Sequence, residues 1–488
     1  MATAAEPTPL PGMQLVSCML VMMTVSFQIN VIWPFLPFMV DHVRGTEENA
    51  GFFVGLLASS YFVAQTPAAF LWGVLPQRFG CKRCMVFSSA AVGVSMLGFG
   101  LSESFAVGCC WRLLGGAVNG NAPVVKSYLA KITDASNQAK GFSVISFSWG
   151  LGGLVAPTLG GFLSDPVTKY PRLFVEGSLA SRSFVRWPYL LPCASAAFVC
   201  FLAAAAVALW IPDDRPRAQR YEQIQEDEEL KPVMEQDDEQ EDEGKGVEGD
   251  GSVYEAGGGA AAQYVPSYRE LLKPSLCGLS CLAYLYASLN FVIFDEMLPL
   301  YCKAGYEDGG LGWDTDAIGT ALSVGGLVLC FYQPLVYPTL TRRLGIVGTY
   351  TVGIYTFTIA SGAFSFFTYL VPFGGGALWT AMVIFRALYV HAATCMFAGS
   401  GILINNSCEL WYVAKANAIG QALASLSRAV FPTLAGGIWA VTMRLGAPWQ
   451  PHGVYVMLLA LNIAAVHNAR RLPLSFNTPR AELRAQKS

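Results

Sequence analysis

The sequence predicts an all-α membrane protein of 12 transmembrane helices, arranged as two six-helix halves related by pseudo-symmetry. Three observations carry this expectation. First, 53% of the 488 residues are hydrophobic and only 13% are charged, about half the charged share of an ordinary soluble domain. Second, Pro157-Thr158-Leu159-Gly160-Gly161 is repeated as Pro432-Thr433-Leu434-Ala435-Gly436 at an offset of 275, and the same offset lays Ala139-Lys140 on Ala414-Lys415. Third, a strongly acidic segment divides the apolar stretches six and six. Between Asp213 and Glu255 it holds 17 acidic and 5 basic residues, a net of −12.

A bilayer core of about 30 Å needs roughly 20 apolar residues per helix. Twelve stretches qualify or nearly do: 13–40, 51–75, 84–102, 105–128, 140–163 and 188–211, then 275–301, 317–337, 346–371, 376–404, 418–441 and 453–469. The domain boundaries follow: an N-terminal tail (1–12), a first half (13–211), a linker (212–274), a second half (275–469) and a basic tail (470–488). The linker has too little apolar surface to offset the entropy of ordering and reads as a disordered, solvated tether.

No Lys or Arg precedes Arg44, so the first stretch lacks the basic flank of a cleaved signal peptide. With both termini cytoplasmic, 20 of the 31 Lys and Arg fall inside, 7 outside and 4 within spans, as the positive-inside rule requires. Whether the membrane is the plasma membrane or a vacuolar or other internal one stays open. The 13 cysteines are scattered without metal or disulfide spacing, so they read as small packing residues.

The motifs resemble those of the major facilitator superfamily. Gly73-Val74-Leu75-Pro76-Gln77-Arg78-Phe79-Gly80-Cys81-Lys82-Arg83 looks like the family's loop signature, with a weaker echo in Leu340-Thr341-Arg342-Arg343-Leu344-Gly345. Arg112-Leu113-Leu114-Gly115-Gly116 resembles its arginine motif, and Gly152 to Gly161 its antiporter glycine-proline motif. Trp33-Pro34-Phe35-Leu36-Pro37 fits the paired prolines that close the first span in drug:proton antiporter-like members. More narrowly, Trp149-Gly150, the loop Asp165 to Pro171, Pro188 to Cys193, Lys126 and Asp295-Glu296 are similar to the zinc-induced facilitator-like transporters. The resemblance implies the major facilitator fold and a gating role for Gly73, Gln77, Arg78 and Gly80. Gln77 stands where the family signature carries Asp, and an amide cannot serve as a fixed negative charge.

Ionisable residues inside a membrane are costly and are functional candidates by default. Of the acidic residues only Asp295 and Glu296 sit well inside a span, which makes them the candidates for proton coupling. Adjacent helical residues point about 100° apart, so the two cannot face one cavity axis. Arg112, Lys126, Arg386 and Arg428 lie in the spans against these two acids. An excess of positive charge favours an anionic or zwitterionic substrate, because the planar guanidinium fork matches carboxylate and phosphate. Asn30, Gln65, Arg112, Asn119, Lys126 and Arg386 are therefore the expected substrate contacts, with Arg112 and Arg386 facing the central cavity from the two halves. The alternative for each cation is an internal pair or a bond to backbone carbonyls. His391 has the same choice, between a proton-responsive group and a hydrogen-bonded packing residue.

Gly152, Gly160 and Gly161 permit close helix approach, and Pro157 and Pro432 remove backbone donors, so these five are expected at a moving interface. No nucleophile with its base, phosphate-cradling loop or zinc-ligand cluster is present, which speaks against an enzyme or an ATP-driven pump. No cofactor, metal or nucleic-acid partner is expected. Duplicated helical bundles are the usual architecture of secondary transporters. The expectation is a monomeric, proton-coupled antiporter of a small organic anion or zwitterion, which the narrower resemblance extends to metal chelators. The alternatives are a facilitator or symporter of the same fold, or a transport-inactive scaffold or sensor.

Overall fold

The computed structural model describes residues 10–133, 137–174, 178–213, 253–254, 263–264, 268–271, 273, 277–408, 412–446 and 450–478. Its long helices fall where the apolar stretches lie, with two interruptions. The first stretch does not run unbroken to residue 40: α1 (Gly12–Asn30) stops and α2 (Leu36–Arg44) begins afresh. Pro34 in the gap has no N–H and disfavours helical geometry at Trp33, whereas Pro37 suits the first turn of α2. Gly45, at φ 66°, ends α2.

α3 (Ala50–Phe79) and α4 (Cys81–Gly100) meet at Gly80, whose φ of 83° only glycine adopts without strain. The second interruption divides the expected span 105–128 into α5 (Phe105–Val118) and α6 (Asn121–Ile132). Its cause is the Trp72 indole, which occupies the place of a Cβ at Gly120 and donates from Nε1 to the Ala117 carbonyl at 3.0 Å. Ser88 satisfies the broken backbone: its Oγ donates to the Val118 carbonyl (2.8 Å) and accepts from the Gly120 N–H (3.0 Å). α7 (Gln138–Phe162) contains Pro157, and α8 (Leu190–Trp210) completes the first half.

The second half comprises α9 (Gly278–Lys303), α10 (Thr315–Leu335), α11 (Tyr337–Phe364), α12 (Gly375–Ser407), α13 (Val413–Leu445) and α14 (Gly453–Arg470). α11 is really two pieces, because Gly345 at φ 71° interrupts it. The Arg-Leu-Gly echo of the loop signature thus reproduces the Arg-Phe-Gly corner at Gly80. Of the acidic linker, Val253–Tyr254 pairs antiparallel with Gln263–Tyr264 and Tyr268–Leu271 forms a helical turn; residues 214–252, the bulk of the expected tether, lie outside the described residues.

Eight of these helices are long and apolar enough to cross a bilayer. Large apolar side chains such as Phe70 and Ile359, each 71% exposed, stand on the outer surface, where only lipid would accept so many of them. The halves meet along two seams, α3 against α13 and α7 against α10. Each seam is built from small residues. Gly319 leaves room for the Pro157 carbonyl as Gly55 does for the Pro432 carbonyl, so the two copies of the repeated proline motif make equivalent contacts. Within α7, Gly150, Gly153 and Gly161 meet Cys330, Gly326 and Gly319 of α10, while Gly152 and Gly160 meet Ser26 and Val31 beside α1.

Candidate functional site

A cavity of about 300 Å³ lies between the halves. The first half contributes Asn30, Trp33, Phe62, Trp149, Gly153 and Pro157 to its wall, a surface that is aromatic and uncharged. The charged groups come from the second half: Asp295 of α9, Arg386 of α12 and Arg428 of α13, with Tyr389, Phe291 and Phe397 around them.

Arg386 is 6% exposed and has a single hydrogen bond, from Nη2 to the Leu322 carbonyl at 3.2 Å. Its Nε and Nη1 have no partner, and its guanidinium lies 5.0 Å from the Tyr389 ring centre. Five donors in a rigid fork with only one used make a ready receptor for carboxylate or phosphate. Tyr389 donates to Asp295 Oδ1, which places the cavity's carboxylate one phenol away from its arginine. Arg428 donates from Nε to the Ala424 carbonyl at 3.2 Å and lies 5.7 Å from the Phe62 ring.

Arg112 does not share this position, contrary to the expectation that both arginines face the cavity. It is 3% exposed, stacked 4.6 Å from the Tyr61 ring and 5.8 Å from Phe99, and it is not part of the cavity wall. The reason lies in the opposing helix. Arg386 rests on Gly325, which has no side chain to cover it, whereas Arg112 is roofed by Tyr61.

Asn119 and Gln65 belong to the same buried cluster. Asn119 Nδ2 donates to Gln28 Oε1 (2.9 Å) and Tyr61 Oη (2.6 Å), and Gln65 Nε2 donates to Tyr61 Oη (3.2 Å). Of the six expected substrate contacts, Asn30 and Arg386 line the cavity, and Gln65, Arg112, Asn119 and Lys126 do not. Lys126 is exposed on α6, within the electrostatic reach of Arg428. His391 Nδ1 is bonded to Tyr332 Oη at 2.5 Å, the packing role that was its alternative.

Asp295 and Glu296 diverge as helix geometry requires. Asp295 lines the cavity, and Glu296 is fully buried beside Gly55 and Gly436 in the α3–α13 seam. Of the expected gating residues, Gly152, Pro157, Gly160, Gly161 and Pro432 all lie in tight inter-helix contacts. Gly73 has nothing within 4 Å of a would-be Cβ, and Gln77 and Arg78 are exposed. Arg78 lies 5.6 Å from the Phe79 ring, and Gly80 makes the corner already described.

α1 begins at Gly12 and α14 ends at Arg470, and the end of the bundle that these helix ends mark is here the terminal face. Among the described residues three ion pairs tie the halves together, all at the opposite face: Asp41 with Lys303, Glu48 with Arg444 at 2.7 Å, and Lys169 with Asp316 at 3.7 Å. Lys169 Nζ also donates to the Thr315 hydroxyl (2.6 Å) and the Gly161 carbonyl (2.8 Å).

A membrane-spanning bundle of two repeated halves, with a cavity lined by both, is the architecture of a secondary transporter. A model of the Major Facilitator Superfamily matches residues 18–378, and the chain belongs to that family. It is similar to Protein ZINC INDUCED FACILITATOR 1 of Arabidopsis thaliana, 26% identical over 464 residues that cover 93% of this chain and 90% of the relative. It is also similar to the Major facilitator superfamily multidrug transporter mfsB of Aspergillus fumigatus, 24% identical over 459 residues covering 83% of this chain and 74% of that one. A solved D-xylose-proton symporter shares the fold, with a TM-score of 0.66 at 15% identity across 96% of this chain and 99% of the symporter.

Proposed function

We propose that this protein is a proton-coupled antiporter that moves a small organic zwitterion or anion by alternating access. The observation that carries the reading is the Arg386 guanidinium, buried at the cavity wall with Nε and Nη1 unpartnered, beside an Asp295 carboxylate held by Tyr389. Arg386 and Arg428 receive the negative end of the substrate. Asp295 takes either a proton or the positive end, and the aromatic wall of the first half covers the remainder.

Charge balance selects the coupling mode. With Asp295 ionised, the cavity's three fixed charges sum to +1; protonation raises the sum to +2 and removes the acceptor for an amine. A zwitterion therefore competes with the proton for Asp295, which is the condition for exchange. A simple anion binds better when Asp295 is protonated, which is the condition for symport. The symporter reading thus remains the second one, distinguished by the sign of the pH effect on affinity. The plant relative carries zinc induction in its name, and a metal-chelating amino-carboxylate belongs to the zwitterionic class that the cavity fits.

The glycine and proline seams provide surfaces along which the halves can rock without unpacking large side chains. The ion pairs at the opposite face hold that end shut and leave the substrate path toward the terminal face. The test is to measure binding of a panel of amino-acid and carboxylate probes to purified protein at two pH values. Zwitterion affinity that falls on acidification supports exchange; affinity insensitive to pH removes the proton from the mechanism.

A further inference from the structure

Glu296 follows Asp295 by one residue, and that step turns it out of the cavity into the meeting point of α9, α3 and α13. The residue is completely buried, and neither carboxylate oxygen has a hydrogen-bond partner. Its Oε1 lies 2.6 Å from where a Cβ on Gly55 would stand and 3.1 Å from one on Gly436. The other groups pressed against these glycines are acceptors, the Pro432 carbonyl at Gly55 and the Gly51 carbonyl at Gly436.

Among the described residues no cation is paired with it. On α13, Arg428 faces the cavity and Arg444 pairs with Glu48. On α3 the titratable group nearest along the helix is Tyr61, already bonded to Gln28 and Asn119. From α2, Asp41 takes Lys303 of α9 itself. Tyr389 of α12 is committed to Asp295, and Tyr455 of α14 packs among Phe294, Tyr301 and Phe364. An ionised carboxylate buried among carbonyl oxygens is strongly unfavourable and neutralises. A carboxylic acid, in contrast, has a proton to offer those carbonyls.

We propose that Glu296 is a second proton-binding site, separate from the cavity acid, which keeps its proton while the α3–α13 seam is closed and releases it to water when the seam parts. Gly51 and Gly55 lie in the first turns of α3, so this is the same end of the bundle that Asp41 and Lys303 clasp. Two states that differ in proton affinity are shifted by pH. Acid therefore favours the state closed at the opposite face, and raising the pH favours its opening. The proposal rests on the alternating-access reading above, but not on its substrate or on the role of Asp295.

The test uses full-length, substrate-free protein in lipid nanodiscs, with the exposed Cys110 replaced by serine and spin labels at Thr46→Cys and Glu307→Cys, which stand on different halves at the opposite face. In the otherwise unaltered protein, raising the pH from about 5.5 to about 8.5 is expected to lengthen the inter-label distance. Glu296→Gln, an isostere of the protonated acid, is expected to hold the short distance at both values, while Asp295→Asn keeps the pH response. Thermal melting gives a second measure: Glu296→Gln should melt above the parent at the higher pH and with it at the lower. A parent without a pH response, a Glu296→Gln protein that retains it, or its loss in Asp295→Asn would each overturn the proposal. A pH response through Glu296 in a protein that binds no zwitterion or anion would leave it standing and overturn only the substrate reading.

Discussion

Replacing Arg386 with alanine is expected to weaken substrate binding without unfolding the protein. The side chain's one hydrogen bond is to the Leu322 carbonyl, and its Nε and Nη1 make none, so little internal structure depends on it. A bound carboxylate would engage two of the free donors. Hydrogen bonds to charged groups contribute about 1.5–3 kcal/mol each, and water entering the vacated space offsets part of the pair. A net loss of about 2–4 kcal/mol corresponds to roughly a 30- to 700-fold rise in Kd at 1.4 kcal/mol per decade. Arg386→Lys keeps the charge but loses the fork, and its rise is expected to be smaller, about tenfold. The assay is equilibrium binding by calorimetry, with the tightest member of a screened panel of amino acids and carboxylates as the probe. Arg112→Ala is the paired measurement. That side chain is roofed by Tyr61 and lies outside the cavity wall, so it should lower the melting temperature while leaving Kd within about threefold, a shift under 1 kcal/mol. If Arg386→Ala binds as the parent does, or if Arg112→Ala loses affinity by the larger factor, the placement of the anion site is wrong.

Gly161→Val puts branches where a Cβ alone would already stand 3.1 Å from Asp316 Cα and Gly319 Cα; overpacking of about 1–3 kcal/mol should lower the melting temperature and slow exchange, whereas Gly73→Ala, with open space around it, should do neither. Removing both members of the Asp41–Lys303 pair should loosen the opposite face and raise labelling of Asn30→Cys from that side; unchanged labelling would show that the pair is no clasp. Gln77 is exposed in this state, so Gln77→Asp should act only on the alternative state, changing two-sided cysteine accessibility without altering the melting temperature of the state described here. An unchanged accessibility pattern would remove the position from the gating machinery.

The spans were legible because bilayer thickness imposes a length and polarity rule on each helix, and the tandem repeat was legible because both copies of Pro-Thr-Leu answer the same packing demand. The interruptions were not. Pro34 could as easily have ended the first span as broken it, and Gly120 interrupts α5–α6 because Trp72, 48 positions earlier, occupies its Cβ site. Arg112 and Arg386 looked equivalent along the chain; the difference between them is Tyr61 over one and Gly325 under the other. Sequence spacing carries no information about which residue an opposing helix presents. The same blindness hid the aromatic wall of Trp33, Phe62 and Trp149, which apolar composition alone cannot distinguish from lipid-facing surface. The divergence of Asp295 and Glu296 was legible, since a single step along a helix dictates it.

Exchange in proteoliposomes measures the competition of a proton and a zwitterion for one cavity. With a panel zwitterion trapped inside and an acidic exterior imposed, efflux is expected to be faster than at equal pH, to lose that acceleration in Asp295→Asn, and to show a large loss of apparent affinity in Arg386→Ala. Efflux indifferent to the gradient in the parent protein, or unchanged acceleration in Asp295→Asn, would contradict it.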